Sequence, residues 1–197
     1  VTDTATRDIA VMVLAGAVNK RLVAALGTAG APALGLCGGD LRVVQAKPKR
    51  AREDLGFVGD VTAVDAAWLE RLWSQGAIPV LASVAIGTGG EYYNVNADEV
   101  ASACAAALKA DALVFLTDVP GVRDANGVVM RSLDMAHIPS MVERAIISGG
   151  MLPKLEACNR ALRRGVGRVH ILPAAHAEDV HGLANGGIEI GTEVVAR

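Results

Sequence analysis

Short runs of β-forming apolar residues alternate with helix-length amphipathic stretches along the whole of this chain. That order constrains the fold more than any other feature. Strands separated by helices of this length pair in parallel, with the helices covering the faces of the sheet. The first helix is marked by Val11, Leu14, Val18, Leu22 and Leu26, which step by three and four, and Gly27 and Gly30 stop it. Residues 33–36 read as a buried strand. Residues 41–46 and 57–61, joined across the basic turn Lys47-Pro48-Lys49-Arg50, read as an antiparallel excursion. Asp65 opens a helix carrying Leu69, Leu72 and Trp73 and ended by Gly76, and residues 78–84 form one strand. An Ala-rich helix over 98–110 and a strand over 113–116 follow, then Asn126-Gly127 as a tight turn between Arg123 and Val129. Helices at 139–147 and 153–164, a strand at 169–172, a short helix at 176–184 and a strand at 193–196 complete the chain. The expected architecture is α/β: a three-layer α/β/α sandwich with a mainly parallel central sheet, one domain over residues 1–197.

Composition supports a folded chain that makes its own core. Hydrophobic residues are 52% and charged residues 20%, which excludes intrinsic disorder. Aromatics are only 3%, so aliphatic side chains fill the interior. With 19 basic and 21 acidic residues the net charge is −2, giving no overall attraction to nucleic acid. Cys37, Cys104 and Cys158 form no CxxC pair, which fits a reducing compartment. Val1-Thr2-Asp3 opens without a basic and apolar leader pattern. The most apolar stretch, residues 100–119, is interrupted by Lys109 and Asp111. The expected location is therefore cytoplasmic, with no membrane partner.

Familiar nucleotide and metal signatures are missing. There is no GxxxxGK[ST], no GxGxxG between a strand and a helix, and no HExxH or paired Cys/His spacing. His137, His170, His176 and His181 are scattered and read as surface or helix-end residues. Gly35-Leu36-Cys37-Gly38-Gly39 has the shape of a nucleophile elbow, but β-like residues follow where a helix is required. Cys37 therefore reads as a small buried residue at a strand end. The basic run 47–52 reads as a solvated hairpin tip, because Glu53 and Asp54 follow it.

Three loops stand out, since ligands of open α/β sheets gather at the carboxyl ends of strands. The first, residues 87–98, begins Gly87-Thr88-Gly89-Gly90 and ends Asn94-Val95-Asn96-Ala97-Asp98. Its Asn side chains suit a small polar ligand, and Asp98 is either a helix cap or a site residue. The second is Thr117-Asp118-Val119-Pro120-Gly121-Val122. The third, Ser148-Gly149-Gly150-Met151-Leu152-Pro153-Lys154, opens a helix whose N–H groups can face an anion. A lysine there opposes the helix dipole, and a bound phosphate would compensate.

These loops, in this order, resemble the amino acid kinase family, and within it the branch acting on N-acetyl-L-glutamate. Leu55-Gly56-Phe57-Val58-Gly59-Asp60-Val61, Leu14-Ala15-Gly16-Ala17-Val18-Asn19-Lys20 and Ile190-Gly191-Thr192 extend the resemblance over essentially the whole chain. It implies transfer of the ATP γ-phosphoryl group to the side-chain carboxylate of N-acetyl-L-glutamate in arginine biosynthesis, with Mg²⁺. Asn94 and Asn96 would bind the acceptor. Lys154 would stabilise the transferring phosphoryl group, and Asp98 would orient the catalytic lysines. Thr117, Asp118, Val119, Gly121, Val122, Arg123, Ile146, Ile147, Ser148, Gly150 and Met151 would border the nucleotide, and no residue is assigned to a metal. A homodimer, or a hexamer of dimers, is implied.

The chemistry is compatible with the residues present. A glutamate-type carboxylate, with a pKa of about 4.3, is already ionised at neutral pH and needs no general base. The task is to neutralise charge as two anions meet. The family's N-terminal Lys-Gly-Gly strand, its His-Gly-Gly-Gly type loop and an Arg just before Val-Thr-Asp have no counterpart here. The expectation is a chain that is inactive or impaired unless a separate segment completes its site. The alternatives are an N-acetyl-aminoadipate kinase of lysine biosynthesis and a non-catalytic nucleotide-binding remnant.

Overall fold

The computed structural model describes residues 1–183 and 190–196. They form two compact units, Val1–Leu108 and Lys109–Arg197.

In the first unit, Asp3 caps the first helix by accepting the Thr6 N–H at 2.8 Å. α1 (Thr4–Ala10) runs through a π-helical segment, Val11–Val18, into α2 (Asn19–Thr28). The most apolar 18-residue window of the resulting helix, Thr4–Thr28, has mean hydropathy 1.7 and is only 6% buried. This helix, not residues 100–119, has the length and apolar content to cross a bilayer. Its polar side chains hold it against a sheet. Asn19 Nδ2 donates to the Val80 carbonyl at 2.8 Å and Lys20 Nζ to the Gly35 carbonyl at 3.1 Å. Val11 and Leu14 pack on Cys37, Ala82 and Val84, whereas Val18 and Leu22 of the same stripe stay exposed.

β1 (Ala33–Leu36) pairs in parallel with β4 (Ile78–Leu81). A second sheet has the order β3-β2-β5-β6, built from β2 (Val44–Pro48), β3 (Gly59–Val64), β5 (Val84–Ile86) and β6 (Tyr92–Asn94). The β2–β3 pair is the antiparallel excursion expected, with a bulge between Gln45 and Ala46. Residues 78–84 are not one strand. The chain changes sheets at Ala82-Ser83, where the Ala82 N–H still bonds Leu36 but the Ser83 carbonyl accepts the Val95 N–H. Residues 41–43 are not strand either. Leu41 and Arg42 both have φ of 53°, and a 3₁₀ turn, Asp40–Arg42, precedes β2. α3 (Ala66–Ser74) begins where Asp65 accepts the Trp68 N–H, and Gly76 leaves it with φ 80°. Leu69 from α3 and Val100 from α4 (Ala97–Ala107) close a core with Val43, Val44, Ala85 and Tyr93.

In the second unit, β7 (Ala112–Thr117), β8 (Ser132–Asp134), β9 (Arg168–Pro173) and β10 (Thr192–Val195) form a sheet of order β7-β9-β10-β8. β7–β9 and β8–β10 are parallel, and β9–β10 is antiparallel. β8 was not anticipated. α5 (Ile138–Glu143) is shorter than the 139–147 expected, because Ala145 adopts φ 55° and ends the helical path. α6 (Met151–Arg163) buries Leu155, Ala157, Cys158 and Ala161. The segment expected as a helix at 176–184 is a 3₁₀ run, Ala174–Leu183, kinked at His176; Ala184 lies outside the described residues. The protein is an α/β sandwich with mostly parallel pairing, its described strands falling in three sheets.

Candidate functional site

The loop at the carboxyl end of β7 is shaped by its own backbone demands. Gly121 has φ 141°, and a Cβ there would lie 2.8 Å from Thr192 Oγ1, so only glycine fits. Thr192, fully buried, accepts the Val122 N–H at 2.9 Å and donates to the Met130 carbonyl at 2.7 Å. The Met130 N–H returns a bond to the Val122 carbonyl at 2.8 Å. Asp124 accepts the N–H groups of Asn126 and Val128, each at 2.9 Å, which closes the Asn126-Gly127 turn. Arg123 pairs with Val129 across it and donates to the Gly127 carbonyl at 2.6 Å.

This loop and residues 146–151 enclose a cleft of about 200 Å³. Its lining is Val119, Gly121, Val122, Arg123, Ile146, Ile147, Ser148 and Met151, each of them expected on the nucleotide side. Apolar walls with a few polar groups suit a ring system with a charged tail. Thr117, Asp118 and Gly150, also expected there, do not line it. Thr117 Oγ1 instead donates to Asp118 Oδ1 at 3.2 Å.

Met151 on the cleft wall is also the first residue of α6. That helix starts from Gly150 with no side-chain cap and no acid in its first turn. Its amide dipoles therefore present positive charge at the helix start. Lys154 adds a cation to that turn. Its Nζ lies 4.9 Å from the centre of the Phe115 ring on β7, an attraction that offsets part of the dipole repulsion. The contacts of Phe115 and Thr192 with these segments were not anticipated, although Thr192 belongs to the Ile190-Gly191-Thr192 segment of the resemblance. Phe115 sits in an apolar strand pattern that marks it only as core.

The residues expected on the acceptor side, Asn94 and Asn96, lie in the first unit. The Asn94 N–H donates to the Phe57 carbonyl at 2.9 Å, and Asn94 bridges to Val58, so the Gly-Phe-Val-Gly segment fixes its backbone. Residues 87–98 are not all loop, because Tyr92–Asn94 pairs with Val84–Ile86 as a hairpin. The Gly87-Thr88-Gly89-Gly90 turn folds around Glu91, whose carboxylate would collide with a Cβ on Gly87 or Gly89. Hydrogen bonds from backbone N–H groups and from the Tyr93 hydroxyl, 3.0 Å away, hold the Glu91 carboxyl below its ordinary range. The helix cap is Asn96, not Asp98; Asn96 Oδ1 accepts the Glu99 N–H at 3.1 Å. Asp98 stands half-buried in the first turn of α4, its carbonyl accepting from Ser102 Oγ at 2.8 Å.

Two other sequence candidates resolve into structure. Cys37 is buried and its thiol is pushed up by burial, so it carries little thiolate, and Cys104 is pushed up to about 11 by burial. His170 is not a surface residue. It sits 4% exposed in β9, and burial lowers its pKa despite the Glu193 carboxylate 3.9 Å away. Among the described residues, no group of three or more His, Cys, Asp or Glu could hold a metal ion.

Comparison with known proteins follows the same outline. The profile of the amino acid kinase family matches residues 1–173. Acetylglutamate kinase of Acidobacterium capsulatum is 58% identical over 196 residues, covering 100% of this chain and 75% of the relative. Acetylglutamate kinase of Koribacter versatilis is 56% identical with the same coverage. Among solved structures, smu.665 from Streptococcus mutans superposes with a TM-score of 0.86 at 30% identity, covering 100% of this chain and 74% of that one. The chain thus spans about three quarters of the length of these relatives. With the family profile matched over residues 1–173 and similarity to acetylglutamate kinases over the whole of its length, this chain belongs to the amino acid kinase family and is a phosphotransferase.

Proposed function

We propose that the chain transfers the γ-phosphoryl group of ATP to the side-chain carboxylate of N-acetyl-L-glutamate, a step of arginine biosynthesis. The observation that carries this reading is the cleft at the end of β7. Every residue lining it was expected to border a nucleotide, and one of them begins a helix whose first turn carries Lys154 and no acid. The names of the two relatives supply the acceptor.

In this account the cleft takes the nucleotide's base and sugar, and the amides at the start of α6 face its phosphates. Lys154 neutralises charge on the transferring phosphoryl group. The ring of Phe115 under its ammonium narrows where that cation can lie. Mg²⁺ comes with ATP, as a hard cation bound through phosphate oxygens. Asn94, its backbone fixed by Phe57, donates from its amide to the acceptor. Asn96 lends its amide nitrogen while its oxygen caps α4. For Asp98 the family resemblance alone supplies a role, that of orienting catalytic lysines. No base is needed, because the attacking carboxylate is ionised at neutral pH. The protein works in the cytoplasm as a homo-oligomer, and the exposed Ile9, Met12 and Val13 on the first helix support assembly.

The test is ADP release on adding N-acetyl-L-glutamate, with the acyl phosphate trapped by hydroxylamine. The reading predicts trapped product with N-acetyl-L-glutamate and much less with N-acetyl-aminoadipate. ATP binding without trapped product, in the presence of a segment supplying the family's N-terminal strand and glycine-rich loop, would refute it.

A further inference from the structure

The basic run at 47–52 is not a uniformly solvated tip. Lys47, Arg50 and Arg52 are exposed, but Lys49 turns inward. Its N–H donates to the Val58 carbonyl at 2.9 Å. Its Nζ lies 3.1 Å from Asp60 Oδ1 and 3.3 Å from Glu99 Oε1. All three side chains are partly shielded, with exposures of 36% for Lys49, 36% for Asp60 and 20% for Glu99. Burial disfavours the Lys49 charge, yet the hydrogen bonds and charges of Asp60 and Glu99 outweigh it and hold the ammonium above its ordinary range.

The placement matters because of what surrounds it. Glu99 follows Asp98 in the first turn of α4, and its N–H is the one capped by Asn96. Asp60 follows the segment whose Phe57 and Val58 fix Asn94. Residues 94–98 are thus bracketed by Asp60 and Glu99, with Asp98 itself a third carboxylate. The proposed acceptor carries two carboxylates. An anion approaching such a group of acids is repelled unless cations balance them.

We infer that Lys49 is the charge-balancing positioning residue of the acceptor side: shared between Asp60 and Glu99, it cancels the acidic field around Asn94 and Asn96 and so permits a dicarboxylate to bind. This rests on the acceptor reading given above. Lys49 acts through the field of its two partners and does not itself touch the reacting atoms.

The experiment is steady-state kinetics, with the segment that completes the site supplied, on the parent chain and on Lys49→Met, Lys49→Arg, Glu99→Gln and the Lys49→Met/Glu99→Gln pair. Lys49→Met raises KM for N-acetyl-L-glutamate about two- to fivefold, the scale of a half-exposed ion pair. It leaves kcat and KM for ATP unchanged, and the defect shrinks at high salt. Lys49→Arg retains the parent KM. Adding Glu99→Gln to Lys49→Met brings KM back towards the parent value, which a lost packing contact would not allow. Should Lys49→Met not fold, Glu99→Gln alone decides, because it lowers KM for the acceptor. An unchanged acceptor KM in Lys49→Met, equal rises for both substrates, or a double variant worse than the single one overturns the assignment of Lys49 alone. Absence of acceptor turnover by the parent chain overturns the acceptor reading, and this inference with it.

Discussion

Replacing Thr192 by Val removes one oxygen from the point where the nucleotide-side loop is tied down. The side chain keeps its shape, so no cavity opens. Two bonds disappear: the one accepted from the Val122 N–H at 2.9 Å and the one donated to the Met130 carbonyl at 2.7 Å. Val122 is 2% exposed, so its N–H is stranded away from water and costs the desolvation of an orphaned donor, about 1–3 kcal/mol. Met130 is only half-buried, and its carbonyl recovers part of its loss from solvent. The sum is about 2–3 kcal/mol, which for a chain of this size lowers Tm by about 5–10 °C. Denaturant unfolding followed by tryptophan-independent circular dichroism measures the stability. Calorimetry with ATP measures the second effect, a weaker nucleotide affinity, because Val122 lines the cleft. Thr192→Ser keeps the hydroxyl and retains most of both. A Thr192→Val chain within 0.5 kcal/mol of the parent, binding ATP normally, would refute the argument that this hydroxyl organises the loop.

Two further predictions concern stability. His170 is folded in a neutral form with its pKa lowered by burial, so the unfolded chain takes up a proton that the folded chain resists. The unfolding free energy therefore falls as pH drops below the ordinary value of about 6.5, by up to about 1.4 kcal/mol per pH unit until the lowered pKa is passed. His170→Phe flattens this part of the profile between pH 7 and 5, and parallel profiles for the two chains would contradict it. Lys109 holds φ 49° at the end of α4, where a side chain is strained. Lys109→Gly stabilises the chain by about 0.5–1 kcal/mol in urea unfolding, and a loss of stability would show that the lysine makes a compensating contact.

What was legible in the sequence was local chemistry. Asp65 caps a helix, Asn126-Gly127 turns the chain, and Gly121 and Gly76 carry positive φ because each motif is decided within a few residues. The two walls of the cleft, 119–123 and 146–151, were singled out through the family resemblance, which rests on short contiguous segments. What depended on partners distant in sequence was not legible. Residues 78–84 look like one apolar strand, but the break at Ala82-Ser83 is dictated by Leu36 on one side and Val95 on the other. Asn96 and Asp98 are both good capping residues, and only the path of β6 decides which one sits at the helix entrance. His170 lies in Val169-His170-Ile171-Leu172, where local pattern marks a strand but not that β7 and β10 enclose it on both sides. Lys49 looked solvated because the residues that hold it lie 11 and 50 positions away.

The central claim is that Lys154 neutralises the phosphoryl group as it passes to a carboxylate acceptor. It is tested most directly by the kcat for acyl phosphate formation from ATP and N-acetyl-L-glutamate, compared between the parent chain and Lys154→Met, with ATP affinity measured alongside. With the family's N-terminal strand and glycine-rich loop supplied as a separate segment, the account predicts trapped acyl phosphate from the parent and a kcat lower by about two to three orders of magnitude in Lys154→Met, the scale of losing one cation at a developing charge, with ATP affinity changed far less. Comparable kcat values for the two chains would contradict it.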